Sequence, residues 1–265
     1  MADLSIQIAG LRTSIVTREL EIAHVVRGRY KGFLSSGTPA WRIEMGAEPA
    51  GHPPYAEDVV VARNGGPARF SMKRADFAGS VDLREHGGTA TFIDPDEISI
   101  DAFLRVLYSL ALVEAEGLVM HASSLIRNGK AYLFCGPSGS GKTTVARLSP
   151  DAILLSDELS IARIRDERAF CYGTPFWGEL GRGGEDRTAP LAGIYFLRKG
   201  TRHAAESLRP RQALERLLPN VLFFARETDL VARVFRISAD LVQTVPCFDL
   251  SFRPDPGFWE VVENG

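Results

Sequence analysis

Cysteine is scarce in this chain: three residues in 265, at positions 135, 171 and 247. An odd, widely spaced set supplies neither a disulfide framework nor the paired ligands of a structural metal site. Long apolar runs are missing as well. No stretch approaches the ~20 residues of a membrane span. The opening MADLSIQIAG lacks the basic segment and apolar core of a secretory signal. The expected compartment is therefore the cytoplasm, with no membrane partner. Nor is there an excess of either charge. Thirty-one basic and 33 acidic residues leave a net charge of -2, which excludes a global field favouring nucleic acid. The cluster Arg209, Arg211 and Arg216 reads as a solvated helix face. Internal repeats and low-complexity segments are absent. What is present is an ordinary globular composition, 45% hydrophobic and 24% charged, enough to bury a core in one or two domains.

The most informative stretch is GPSGSGKTT, Gly136, Pro137, Ser138, Gly139, Ser140, Gly141, Lys142, Thr143 and Thr144. It is a complete phosphate-binding loop, in which main-chain N–H groups surround nucleotide phosphates. In such a loop Lys142 reaches the β- and γ-phosphates and the Thr143 hydroxyl ligates Mg²⁺. The flanks agree: AYLFC (131–135) reads as a buried strand and TTVARL (143–148) opens a helix.

Turn residues divide the chain near position 94. Residues 1–93 read as a small β-rich domain with strands near 4–8, 41–45, 59–62, 68–72, 80–83 and 89–93, and with PAGHPP (49–54) as an exposed loop. Residues 94–265 form the second expected domain. Asp94-Pro95-Asp96 starts a helix running to about Glu116, with Ile100, Leu104, Leu107 and Ala111 at helical spacing. Asn128-Gly129 then joins two apolar runs as a hairpin. The strand feeding the phosphate loop is thus expected to pair antiparallel with the strand before it, unlike an ordinary doubly wound sheet. Later strands are expected at 152–158, 159–164, 169–172, 193–197 and 247–252, helices at 210–218 and 229–244, and a last turn around 258–262. The fold class is α/β with α+β character.

Candidate chemistry surrounds the loop. Asp157 follows the apolar run AILLS, where a strand leaves the sheet and open α/β sheets place ligands. An acid there holds Mg²⁺ or accepts a hydroxyl proton; the alternative is a helix or turn cap. Glu158 would face the opposite side if the strand continued. His121 sits mid-strand beside the loop's own strand, as a site residue or as a satisfied strand histidine. GTPFWGELGRGGEDR (173–187) is polar, glycine-rich and long, a substrate loop or lid or else a flexible surface loop. Within it Glu179 is a candidate metal ligand, and Arg182 or Arg187 a stabiliser of phosphoryl charge.

Taken together, HASSLIRNGKAYLFCGPSGSGKTTVARL followed by LLSDE resembles the catalytic domain of HPr kinase/phosphorylase. It is most similar to a divergent group with HAS before the loop, SDD or SDE after it and a GTPxxGE stretch later. The resemblance spans roughly Gly117 to Gly184. It implies a mixed-sheet phosphate-loop kinase fold of the HPr kinase/phosphoenolpyruvate carboxykinase type. It also implies transfer of the γ-phosphoryl group of ATP, with Mg²⁺, to a serine hydroxyl. Asp157 matches the family's base, His121 its site histidine, Glu179 its later metal-binding glutamate, and Thr143, Asp157 and Glu158 complete the metal set. Glu158 stands where the family has a second aspartate, and the stretch around its C-terminal catalytic arginine is missing. The divergent group is associated with peptide modification, so the implied partner is a peptide or protein carrying a serine; the oligomeric state, homo-oligomer included, stays open. Two other readings compete. One is a small-molecule kinase of the shikimate or gluconate type, which predicts a purely parallel sheet. The other is a non-catalytic nucleotide-dependent switch or scaffold. Decarboxylation of the carboxykinase kind lacks a His/Lys set for a second metal.

Overall fold

A computed structural model describes residues 1–48 and 58–264; the expected loop at 49–54 lies outside the described residues. The chain forms two compact units, residues 1–114 with 223–231, and residues 115–222 with 232–265. Each carries its own mixed sheet.

The first unit contains β1 (Ala2–Ile8), β2 (Leu11–Thr17), α1 (Leu20–Arg29), β3 (Trp41–Glu48), β4 (Val60–Arg63), β5 (Arg69–Arg74), β6 (Phe77–Asp82), β7 (Gly87–Ile93) and α2 (Glu97–Glu114). Its seven strands lie in the order β1-β2-β3-β7-β6-β5-β4. The six expected strands are present. β2 and α1 are additions. A two-residue turn at Ala9-Gly10, both at positive φ (52° and 78°), closes the β1–β2 hairpin. Because β2 and β3 are parallel, the chain needs a crossover between them, and α1 supplies it.

Asp96 and Ser99 cap α2 reciprocally: Asp96 Oδ1 accepts the Ser99 N–H (2.8 Å), and Ser99 Oγ accepts the Asp96 N–H (3.0 Å). The helix belongs to the first unit, whereas the sequence boundary at 94 assigned it to the second. Its Phe103 meets Phe77 and Phe92 edge-on, at 5.8 and 5.9 Å between ring centres. Tyr108 hydrogen-bonds Thr13 at 2.9 Å. Apolar periodicity announces a buried face without saying which sheet buries it. Phe103 is fully buried, so Phe103→Ala is expected to cost about 3–5 kcal/mol, read as a lowered denaturant midpoint.

The second unit contains β8 (Gly117–Arg127), β9 (Lys130–Cys135), α3 (Lys142–Arg147), β10 (Ile153–Ser156), β11 (Leu159–Arg165), β12 (Arg168–Tyr172), β13 (Thr188–Lys199), β14 (Ala204–Ser207), α4 (Pro210–Leu217), the continuation of α5 (Thr228–Thr244), β15 (Cys247–Phe252) and α6 (Phe258–Glu263). β14 is the element without a sequence counterpart. The Asn128-Gly129 turn, with φ of 51° and 74°, joins β8 and β9 antiparallel, as expected. β13 then runs parallel to both β9 and β15. The ladder β8–β11–β12–β13–β9 returns to β8. β10 pairs antiparallel with β8, so β9 and β10 point the same way and their carboxyl ends share one edge of the sheet.

Aromatic rings fill the core beneath β9. Phe134 stacks on Tyr195 at 5.6 Å and meets Trp259 edge-on at 5.7 Å. Trp259 Nε1 donates to Ser149 Oγ (2.8 Å), which donates to the Val145 carbonyl (2.7 Å). The helix behind the phosphate loop is thereby joined to α6 through buried polar groups. The three thiols are buried and free, and burial pushes Cys171 and Cys247 up to about 12 and Cys135 higher still. None has the lowered thiol pKa of a nucleophile. Among the described residues, no helix is long and apolar enough to cross a membrane.

Candidate active site at the carboxyl edge of β9 and β10

The phosphate loop leaves β9 at Gly136 and enters α3 at Lys142. A turn bond from Ser140 N–H to the Pro137 carbonyl (3.1 Å) and the first helical bond, Val145 N–H to Gly141 O (2.9 Å), hold its shape. Gly141 has φ of 109°, and a Cβ there would lie 2.6 Å from the Phe252 ring at the end of β15. Only glycine satisfies both the backbone angle and the close approach. Pro137, Ser138 and Gly139 are exposed, while Lys142, Thr143 and Thr144 are half-buried. The Lys142 ammonium donates to the carbonyls of Gly136 (2.8 Å) and Pro137 (3.1 Å), closing the loop on itself. Ser140 Oγ is buried without a hydrogen-bond partner among the described residues. An orphaned hydroxyl, exposed loop residues and an ammonium inside the loop's curve fit a bound polyanion.

Sheet register brings the other candidates to the same edge. Ala122 of β8 faces Cys135, the last residue before the loop, and His121 faces Leu159 at the start of β11. The Ala122 N–H donates to the Glu158 carbonyl (3.1 Å). His121 Nδ1 stands 3.8 Å from Glu158 Oε1, with both side chains partly exposed. The strand expected to run through Glu158 stops instead at Ser156, after a register shift against β8. The two acids therefore do not alternate across a pleat. Asp157 turns inward, is 1% exposed, and accepts the N–H groups of Gly178 (3.0 Å) and Leu180 (2.9 Å).

Those two donors belong to the 173–187 segment, which is neither a free lid nor a flexible surface loop. Thr174 N–H donates to Leu155 O and Glu185 N–H to Leu154 O, each at 2.9 Å, so the segment docks on β10. Thr174 Oγ1 donates to the Leu159 carbonyl (2.7 Å), and Phe176 is fully buried. β10 ends its sheet, and the segment satisfies backbone groups that an edge strand would otherwise leave open. Burial also holds the Asp186 carboxyl above its ordinary value.

Glu179 does not join the acids. It is largely exposed and lies 4.0 Å from Arg147 of α3, an interaction worth little in water. Among the described residues, no group of three or more His, Cys, Asp or Glu side chains is gathered as a metal would need. Of the expected set Thr143, Asp157, Glu158 and Glu179, the three acids therefore form no such group; Asp157 is committed to backbone donors and Glu179 faces Arg147. Arg187 pairs with Glu185 at 3.7 Å, and Arg182 is exposed.

No local motif announces the cluster that follows Phe252 at the end of β15. Asp255 accepts from Arg253 and from the Gly257 N–H (2.9 Å), and His203 Nε2 lies 2.8 Å from its Oδ1. His203 is 52 residues away in the chain, and the antiparallel β14–β15 pairing, with Ala204 opposite Ser251, brings it there.

Comparison with known proteins places this site in context. A family model described as "ScmC: SynChlorMet cassette protein ScmC" matches residues 94–264. No curated protein matches the chain. Among solved structures, the Hpr(Ser) kinase/phosphatase from Coxiella burnetii is similar at a TM-score of 0.33 and 11% identity, over 55% of this chain and 94% of that one.

Proposed function

The chain belongs to the ScmC family, and from that premise we propose that it is an ATP-dependent phosphotransferase acting on a serine hydroxyl of a peptide or protein. The observation that carries this reading is the phosphate loop, with an ammonium inside it and His121, Asp157 and Glu158 at the same sheet edge. Residues Gly136–Thr144 would hold the phosphates through main-chain N–H groups. The Lys142 ammonium would exchange its two carbonyl acceptors for phosphate oxygens, so that charged acceptors take the place of neutral ones. The Thr143 hydroxyl would hold Mg²⁺, which when bound neutralises charge on the β- and γ-phosphate oxygens. The rest is positioning and electrostatics at an edge already arranged for it.

The mixed sheet supports this reading over a small-molecule kinase of the shikimate or gluconate type. In those enzymes the loop strand is expected among parallel neighbours, whereas here β8 is antiparallel to β9.

Calorimetry with Mg·ATP, followed by mass spectrometry of serine peptides incubated with the full chain and Mg·ATP, tests the proposal. The expected result is saturable binding and a gain of one phosphoryl group on serine. Absence of Mg·ATP binding would sink it. Binding without transfer to any acceptor would favour the switch or scaffold instead.

A further inference from the structure

The carboxyl ends of β9, β13 and β15 share one edge of the sheet, because the three strands are parallel. β9 ends in the phosphate loop. On one side of it stand β8 with His121, then β10 with the two acids after it. On the other side β13 runs out through RKGTRH (198–203) into the turn before β14, and no acidic residue occurs from position 188 to 205. Close contacts seat this turn against the loop. A Cβ on Gly136 would lie 3.6 Å from Leu197 Cβ, and one on Gly141 would lie 2.6 Å from the Phe252 ring. Gly200 N–H donates to the Phe252 carbonyl (2.9 Å). Ser251 Oγ donates to the Arg202 carbonyl (3.4 Å), and His203 Nε2 lies 2.8 Å from Asp255 Oδ1. The turn is therefore tied to β15 at both ends. Side-chain alternation fixes one more point. Leu197 packs with Phe252 and with Val145 of α3. Lys199, two residues on and opposite Phe252 in the β13–β15 register, emerges on that same side. It is exposed, and among the described residues no carboxylate pairs with it. Arg253, by contrast, is committed to Asp255.

We propose that Lys199 marks the nucleoside side of the donor site: its ammonium contacts the α-phosphate of a nucleoside triphosphate whose β- and γ-phosphates fill the loop, so that the chain distinguishes a nucleotide donor from pyrophosphate. The proposal rests on the phosphotransfer reading and deepens it. Direction decides it. The γ-phosphoryl group has to lie towards His121 and the acids, where an acceptor meets it. The loop sits on the end of β9, so the rest of the donor extends the opposite way, over β13 and β15. Lys142 lies inside the loop's curve, where it serves the β- and γ-phosphates. The α-phosphate then needs a cation just beyond the loop, on the α3 side of the sheet, and Lys199 stands there. A lysine at a strand end is ordinarily no more than solvated. The contacts of Leu197 and Phe252 with the loop glycines, and the tied turn that follows, set this one apart.

Calorimetry on the full chain with Mg·ATP and with Mg·pyrophosphate isolates the contact, because pyrophosphate can fill the loop but carries no α-phosphate. Lys199→Ala is expected to weaken Mg·ATP binding about tenfold, the worth of one hydrogen bond to a charged group, and to leave Mg·pyrophosphate affinity within about twofold. Lys199→Arg keeps the charge and is expected to stay within about threefold of wild type for both ligands. Arg211→Ala removes the same charge from the exposed face of α4 and is expected to change neither affinity. The side chain of Lys199 is exposed, so its variants should unfold at the wild-type midpoint. Mg·ATP affinity within about threefold of wild type in Lys199→Ala would overturn the subsite and leave the loop assignment standing. Equal losses for the two ligands would do the same, since a general field and not an α-phosphate contact would then be at work. No binding of either ligand by the wild-type chain would remove the phosphotransfer reading, and the subsite with it.

Discussion

Lys142→Ala is expected to weaken Mg·ATP binding about 100-fold and to lower turnover further, while leaving the unfolding midpoint within about 2 °C of wild type. The lysine contributes little to the fold. It is half-buried and donates to two carbonyls of its own loop, one of them in an exposed residue, where water can take its place. On the proposed reading its value lies in the ligand complex, where the ammonium would face several phosphate oxygens. Hydrogen bonds to charged groups are worth about 1.5–3 kcal/mol each, and a loss of about 2.7 kcal/mol is the stated 100-fold. Lys142→Arg should recover part of the affinity, since the charge is kept but the fork is too wide for the loop. Calorimetry and thermal unfolding measure the two quantities separately. Affinity within threefold of wild type in Lys142→Ala would mean that the loop does not grip a polyphosphate.

Gly184→Ala is expected to be strongly destabilising to the second unit. A Cβ at this position would lie 1.8 Å from the Leu155 carbonyl oxygen and 2.3 Å from its carbon. Both atoms belong to β10, whose hydrogen bonds to β8 prevent retreat. The segment must therefore undock, which breaks the bonds from Thr174 to Leu155 and from Glu185 to Leu154 and exposes Phe176. A cost of about 3 kcal/mol or more follows from overpacking and lost hydrogen bonds combined. At roughly 2–4 °C per kcal/mol for a domain of this size, the unfolding midpoint should fall by about 6–12 °C. Gly181→Ala is the control. Nothing lies within 4 Å of its Cβ position, so only the positive φ of 64° resists the change, at about 1 kcal/mol. Differential scanning calorimetry distinguishes the two. A Gly184→Ala midpoint within 2 °C of wild type would show that the segment is not docked on β10.

The contrast between these variants marks where one-dimensional information ends. The phosphate loop is legible because its chemistry is contiguous: nine residues carry the curve, the charge and the hydroxyl, and the flanking strand and helix are written next to them. The β8–β9 hairpin is legible for the same reason, since Asn128-Gly129 specifies its own turn. The β1–β2 hairpin escaped because alanine, not asparagine or glycine, occupies the first left-handed position at Ala9. α1 escaped because its buried apolar residues, Ile22, Ala23 and Val26, are few and its N-terminus carries no side-chain cap. β14 is four residues long and exists only as a partner for β15.

By itself the sequence determined the loop, its hairpin, the short helix behind it and the presence of acids and a histidine nearby, all set by neighbours within a few positions. The tertiary structure alone decided that α2 packs in the first unit, that the 173–187 segment lies docked along β10, that Asp157 turns inward while Glu158 faces His121, and that His203 meets Asp255. The physical reason is common to all four. Burial and hydrogen-bond pairing between distant segments depend on which surfaces meet, and a residue's exposure is a property of its partners, which no local pattern encodes.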